Sequence, residues 1–473
     1  MRSSLNAFIA IAAALLVVPS FASADDVGGG DDLQEIISRM SDLEQQLKAT
    51  NDALAASTAK VDQQQKVLSK LQPSNQSGLT LALSDFLTET TFGGWVAASY
   101  MYNTNNPNSG DSHDANQGES RSGLGNAFHG DSNSFHVDEV WFEMQNKATP
   151  ESRGGFQIDV LMGETADVLC DIDGDSNGSL PCLYNANVSY LAPITDAGIE
   201  ITAGRFATHI GSERPGVAYN FNITRGMVWN LQPINYTGVK MASSYDMGLD
   251  WMLGITNTSG YEGSRIAQQT DFDDEKVFLW HVGYEISDTM AIAFNGQWGG
   301  NCALTTCDAA GGGGGSNKDK QGVADMVFDW NPSDRLSTYL NIDWIWMEHE
   351  TRSAADSTDA RVLGIAAAGR YAITDATGFA LRGEFVKSWD NYVELSAIAA
   401  EVTPPHNTNQ ELWSLTGTVD HSLTEHLTVK AEVVYQIGRN NRNYQNDAFF
   451  VDNDEDDLDN DQVLLGVQMT YQF

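Results

Sequence analysis

The chain ends on Gln462-Val-Leu-Leu-Gly-Val-Gln-Met-Thr-Tyr-Gln-Phe473, and this stretch decides the fold. In an extended strand Val463, Leu465, Val467, Met469, Tyr471 and Phe473 share one face, and Gln462, Leu464, Gly466, Gln468, Thr470 and Gln472 share the other. One apolar face and one small or polar face suit a wall between lipid and water. Lipid satisfies no backbone N–H or C=O group, so only helices and closed barrels cross a bilayer. Beyond the N-terminal leader the sequence holds no apolar run of about 18 residues, the length a spanning helix needs. The strand therefore belongs to a barrel.

Working back from that end, the sequence predicts sixteen antiparallel strands. They lie near 92–102, 135–146, 154–163, 185–192, 198–206, 237–245, 248–257, 276–286, 289–298, 322–330, 335–348, 361–371, 377–387, 411–419, 426–437 and 462–473. Leu340, Ile342, Trp344 and Trp346 alternate with Asn341 and Asp343; Leu427, Val429, Ala431, Val433 and Tyr435 alternate with Lys430, Glu432 and Gln436. Junctions such as Asp246-Met247 and Ser287-Asp288 are short, whereas 103–134, 164–184, 207–236, 258–275, 299–321, 349–360, 388–410 and 438–461 are long and polar. Short turns at one end and long loops at the other are the outer-membrane pattern. Tryptophans at 95, 141, 251, 280, 298, 330, 344 and 346 suggest aromatic girdles at the lipid interfaces.

The N-terminus carries two further expectations. Residues 1–24 read as an export signal: Arg2, an apolar run from Ala7 to Val18, then Ala22 and Ala24 as small residues before a cleavage site. Residues 25–32 are a flexible Asp/Gly stretch. Over 33–72 Leu33, Met40, Leu47, Leu54, Val61 and Leu68 recur every seven residues, which predicts an α-helical coiled coil roughly 60 Å long at 1.5 Å per residue. Pro73 ends it, 73–90 link it, and 91–473 form the transmembrane barrel. An even strand number puts both barrel ends on the periplasmic side, where the coiled coil then lies. A coiled coil needs partners, so a homo-oligomer, taken as a homotrimer, is expected.

Composition narrows the partners. The chain carries 64 acids against 26 bases, which argues against nucleic acid. Eight acids and no base fall between Asp447 and Asp461, a run that reads as a solvated surface or as one for divalent cations that bridge lipopolysaccharide. Cys170 with Cys182 and Cys302 with Cys307 are expected as two local disulfides in an oxidising compartment. Between the first pair Asp173, Asp175 and Asn177 match the front half of a calcium loop, but position twelve is Tyr184 and not a glutamate, so any calcium site is weak. No other cofactor is expected.

Gly204-Arg205-Phe206, Ile210-Gly211-Ser212-Glu213, Asn220-Phe221-Asn222-Ile223-Thr224-Arg225, Pro233 and Thr237-Gly238-Val239 together resemble the OmpL-like beta-barrel porin family. The layout of coiled coil plus barrel is also similar to trimeric dicarboxylate porins and to siderophore-uptake porins. The resemblance implies passive diffusion of small hydrophilic solutes across a Gram-negative outer membrane. By analogy with general porins, the third long loop folds inward and narrows the bore. His209, Glu213, Arg214, Asn220, Asn222 and Arg225 are its polar candidates, and Lys240, Arg370, Arg382 and Lys430 are wall bases facing the lumen. Wall acids on the same criterion are Asp159, Asp325, Asp343, Glu384 and Glu432. Two uses compete for the loop residues: a transverse field acting on solutes, or hydrogen bonds that only fix the loop. Sixteen strands leave a water channel unless something plugs it. No histidine falls in a Gly-x-Ser-x-Gly setting, so an enzyme is not expected; a barrel hydrolase and a tether to the cell wall are the alternatives.

Overall fold

The structure is a computed structural model that describes residues 89–105, 128–129, 133–170, 182–257, 276–300, 320–348, 360–389, 409–440, 450–452 and 457–473. Two compact units divide the chain, Met1–Asp85 and Phe86–Phe473, and every described residue belongs to the second. The expected leader, coiled coil and most of the linker, the calcium loop (Asp173, Asp175, Asn177) and Cys302 and Cys307 lie outside the described residues.

Sixteen antiparallel strands close on themselves. They are β1 (Thr91–Asn103), β2 (Ser134–Asn146), β3 (Gly154–Met162), β4 (Cys182–Ala192), β5 (Ile199–Ala207), β6 (Asn235–Ser244), β7 (Leu249–Asn257), β8 (Lys276–Ser287), β9 (Met290–Gly300), β10 (Lys320–Ser333), β11 (Leu336–Glu348), β12 (Ala360–Ala372), β13 (Thr377–Trp389), β14 (Gln410–Ser422), β15 (Leu427–Asn440) and β16 (Asp461–Gln472). Each pairs with its sequence neighbours. β16 closes the cylinder on β1, with Trp95 opposite Gln472 and Asn103 opposite Leu464. Past the last pair, Phe473 N donates to Gly94 O at 3.0 Å and Gly94 N returns a bond to Phe473 O at 3.2 Å. No edge is left open, which is what a sheet in lipid requires.

The alternation decides the two faces. On β14 Trp413, Leu415 and Val419 point outward, whereas Ser414, Thr416, Thr418 and Asp420 are buried inside the bore. On β16 Leu465, Val467, Met469 and Tyr471 stand outside, and Gln462, Gln468 and Thr470 inside. Two strands break the parity. The β1–β2 register shifts between Ala97 and Ala98, so Asp138 and Glu139, adjacent in sequence, are both buried inside. A shift between Asp159 and Val160 does the same for Tyr184 and Asn185 on β4. Each bulge adds one residue to one strand and turns a second consecutive side chain inward. Without the first, one acid of β2 would face lipid.

The tryptophan girdle needs a correction. Trp298, Trp330 and Trp344 are exposed on the outer face, but Trp95 and Trp141 are each 2% exposed inside the bore, stacked at 4.9 Å between ring centroids. Their parity is that of Ala97 and Glu139, which are inward. Two elements lie beyond the sequence reading: helix α1 (Glu164–Cys170), and a small hairpin of Phe450–Asp452 with Asp457–Asp459. No helix of the described residues is long and apolar enough to cross a membrane.

Candidate functional site

The connection from β5 to β6, residues 208–234, turns into the barrel. Most of it is buried, with Val217, Ile223 and Leu231 essentially inaccessible. It contains two 3-10 turns, Val217–Tyr219 and Trp229–Leu231. Gly211 takes a φ of +88°, which a side chain rarely adopts, and a Cβ there would meet the Gln232 amide. A Cβ on Gly226 would fall 2.3 Å from a Glu384 oxygen and 2.8 Å from a Glu213 oxygen. The glycines are thus fixed by how closely the connection meets the wall.

Charged groups on distant strands hold it. On β2, fully buried Glu139 forms an ion pair with Arg225 and also accepts from Val217 N at 3.1 Å, Trp95 Nε1 at 2.5 Å and Thr165 Oγ1 of α1 at 3.1 Å. On β13, Arg382 Nη1 donates to Glu213 Oε1 at 2.6 Å and to Thr224 O at 2.7 Å, and Glu384 accepts from Val228 N at 3.1 Å. On β15, Lys430 Nζ donates to the carbonyls of Asn220 at 2.6 Å, Val217 at 3.2 Å and Asn222 at 3.4 Å. Its neighbour Glu432 accepts from Ile223 N at 2.6 Å and Thr224 N at 2.9 Å. Asn222 Nδ2 donates to Thr418 Oγ1 of β14 at 2.6 Å. On β10 and β11, Asp325 accepts from Gly211 N at 3.3 Å, and Gln232 Nε2 donates to Asn341 at 2.9 Å and Asp343 at 2.7 Å. His209 Nε2 sits 3.1 Å from both the Trp280 and Gly296 carbonyls of β8 and β9. Both partners are acceptors, so Nε2 carries the hydrogen. Burial pushes the His209 pKa down to about 3, beyond what the Gly296 carbonyl restores.

Apolar contacts complete the seating. Ile210, Met227, Val228 and Leu231 pack with Val323, Ile345, Val362, Val386 and Leu412 of the wall. Val217, Trp229 and Ile234 pack with Trp95, Trp141, Leu161 and Tyr184. The connection brings its own hydrophobic residues inward to meet the inward apolar residues of the wall.

The predicted site residues therefore separate by what they touch. Glu213, Asn222, Arg225, Arg382 and Lys430 join connection to wall. Asn220 closes a ring inside the connection: its Oδ1 accepts from Arg214 N at 2.9 Å and its Nδ2 donates to Arg214 O at 2.6 Å. Arg214 is exposed, with its guanidinium 5.2 Å from the Tyr219 ring centroid. Lys240 faces inward but lies 4.6 Å over the Phe206 ring. Arg370 is paired with Asp420 at 2.5 Å, near the short-turn end. Sequence reasoning missed Glu139, the anchor of Arg225; two adjacent acids in an alternating strand were the signal for a bulge. Cys182 is disulfide-bonded, and the side chain of Cys170 lies outside the described ones. Among the described residues no group of three His, Cys, Asp or Glu side chains is placed to hold a metal ion.

Below the connection, toward the short turns, lies a polar cavity of about 860 Å³. It is lined by Trp141, Glu143, Asp159, Asn185, Arg214 and Tyr219, among others. Tyr219 donates its hydroxyl to both oxygens of Glu143 at 3.1 and 3.0 Å. Burial and the Glu143 charge push the Tyr219 pKa up to about 12, against the pull of Arg214.

A closed sixteen-strand barrel, apolar outside and polar within, with its third long connection seated in the bore, defines a porin-like outer-membrane protein. The chain belongs to the family described as "Putative beta-barrel porin-2, OmpL-like", matched over residues 89–473. Among solved structures, the trimer form of OmpT, an outer membrane protein of Vibrio cholerae, aligns at 12% identity over 81% of this chain and 99% of its own, with a TM-score of 0.50. An anion-selective porin from Comamonas acidovorans aligns at 10% identity over 81% of this chain and 99% of its own, at 0.49. The outer membrane channel DcaP of Acinetobacter baumannii aligns at 10% over 81% and 97%, at 0.48. At such identities the likeness is one of fold. No curated protein matches the sequence.

Proposed function

We propose that the chain is a porin that lets small hydrophilic solutes diffuse passively across the outer membrane, through a passage narrowed by residues 208–234. The observation that carries this reading is the seating of that connection: a segment held inside the bore by charged residues of β2, β13 and β15, with a polar cavity beside it. A structural tether has no need to line its interior with acids, bases and amides. The same contacts support a division of labour. Glu213, Asn222 and Arg225 fix the connection, while Arg214 and the carboxylates of Glu143 and Asp159 meet the solute. No nucleophile–histidine pair enters this reading, and the protein is proposed to carry out no catalysis.

The wider arrangement is part of the proposal. The 33–72 heptads form a periplasmic coiled coil, and with the barrel they make a homotrimer. Cys170–Cys182 and Cys302–Cys307 are disulfides, calcium is a weak ligand of the Asp173 loop, and the acidic loops meet lipopolysaccharide. Planar-bilayer recording tests the function: stable open steps in groups of three support it. Absence of conductance together with lipid or peptide hydrolysis would replace it with a barrel hydrolase, and absence of both with a tether.

A further inference from the structure

The cavity under the connection keeps polar atoms that neither the barrel nor the loop uses. Asp159 is 2% exposed; Gln157 Nε2 donates to its Oδ2 at 3.0 Å and Asn185 Nδ2 also donates to Oδ2, while Oδ1 has no partner. Asn185, 3% exposed, leaves its own carbonyl oxygen unpartnered. Leaving a buried acceptor without a donor is unfavourable, so native structures rarely keep one without a use for it. Here the two residues that carry such acceptors, one of them a carboxylate, both line the same cavity. The β4 bulge that turns both Tyr184 and Asn185 inward creates the arrangement.

The same cavity offers a cation with unused capacity. Arg214 makes no ion pair with any described residue, although Glu143 lies close enough for each to act on the Tyr219 hydroxyl. A guanidinium presents a planar fork of donors that matches a carboxylate. Glu143, which accepts from the Tyr219 hydroxyl, lines the same cavity. The lining thus carries both buried acceptors and a guanidinium donor fork.

We propose that this cavity binds zwitterionic solutes, namely amino acids or short peptides, with the ammonium at Asp159 and Asn185 and the carboxylate at Arg214. The proposal rests on the porin reading for the solute's route but not for its binding. The test is calorimetric titration of the folded protein in detergent with triglycine, N-acetyltriglycine and triglycinamide. Triglycine is expected to bind at least tenfold more tightly than either capped form. Asp159→Asn is expected to abolish the advantage of the free ammonium, and Arg214→Gln that of the free carboxylate, each leaving the other preference in place. Arg214 is exposed, so its variant keeps the test open should Asp159→Asn fail to fold. Equal binding of the three peptides, no binding of any, or preferences unmoved in the variants overturns the assignment. Liposome swelling by arabinose with the unaltered protein reports the channel separately: swelling without peptide preference removes this inference alone, and no swelling strikes the porin reading instead.

Discussion

At the scale of single residues, the Glu139–Arg225 pair carries the most consequence. Both side chains are fully buried, and removing one leaves the other charge uncompensated, at a cost of ~3–5 kcal/mol. Arg225→Met is therefore expected to lower the unfolding midpoint in denaturant and to make single-channel current noisier. The double variant with Glu139→Gln should recover part of the loss. His209 gives a pH dependence of known sign. Its folded pKa near 3 lies below the unfolded value of about 6.5. The stability it lends is whole above pH 6.5 and is lost as pH falls toward 3. Thermal melts between pH 7.5 and 4.5 should fall more steeply for the native protein than for His209→Asn; parallel slopes would remove His209 as the cause. Parity alone places Arg382, Lys430, Glu384 and Glu432 on the inner wall, so their facing was legible. Their partners were not, because Arg225 and Glu139 are 86 residues apart and Lys430 and Asn220 are 210 apart. Nothing local in the sequence specifies such a pairing.

At the scale of elements, the strands were readable nearly to their ends. A spanning strand is long, its period of two is enforced by lipid on one side and water or polar loop on the other, and turn residues punctuate it. The expectation of a strand over 462–473 and the observed β16, Asp461–Gln472, differ by one residue at each end. Helix α1 and the hairpin at Phe450–Asp452 escaped because seven residues and three residues carry too little periodicity. The connection 208–234 was legible as a loop with a family pattern, but not as a body with its own apolar contacts. Gly211 and Gly226 offer a direct handle on it. Gly211→Val forces a β-branched residue into φ +88° and against Gln232, and Gly226→Ala crowds two carboxylates. Each is expected to loosen the connection while the barrel still closes. Limited proteolysis should then cut within 208–234, and conductance should rise; an uncut connection with native conductance would show that the seating tolerates both.

At the scale of the whole molecule, closure of β1 on β16 implies a cylinder that resists dodecyl sulfate until heated. The expected outcome is a heat-modifiable gel band, and a single band at all temperatures would contradict the closed sheet. Deleting residues 33–72 is expected to leave that band shift intact and to reduce cross-linked trimer severalfold, since the proposed coiled coil adds association without being part of the sheet. The anchors also impose an order on assembly. Many of the acceptors and donors that seat the third connection sit on β13, β14 and β15, which are synthesised some two hundred residues later. A nascent chain cannot finish stowing its own stopper: Glu139 and the walls of β1 to β4 are made first, but until the last staves are in place Glu213, Asn222 and the backbone of residues 220–224 lack their partners. Completing the cork's seating is therefore a late act of biogenesis, and a cell that exports this protein must keep its third loop out of mischief until the cask is whole.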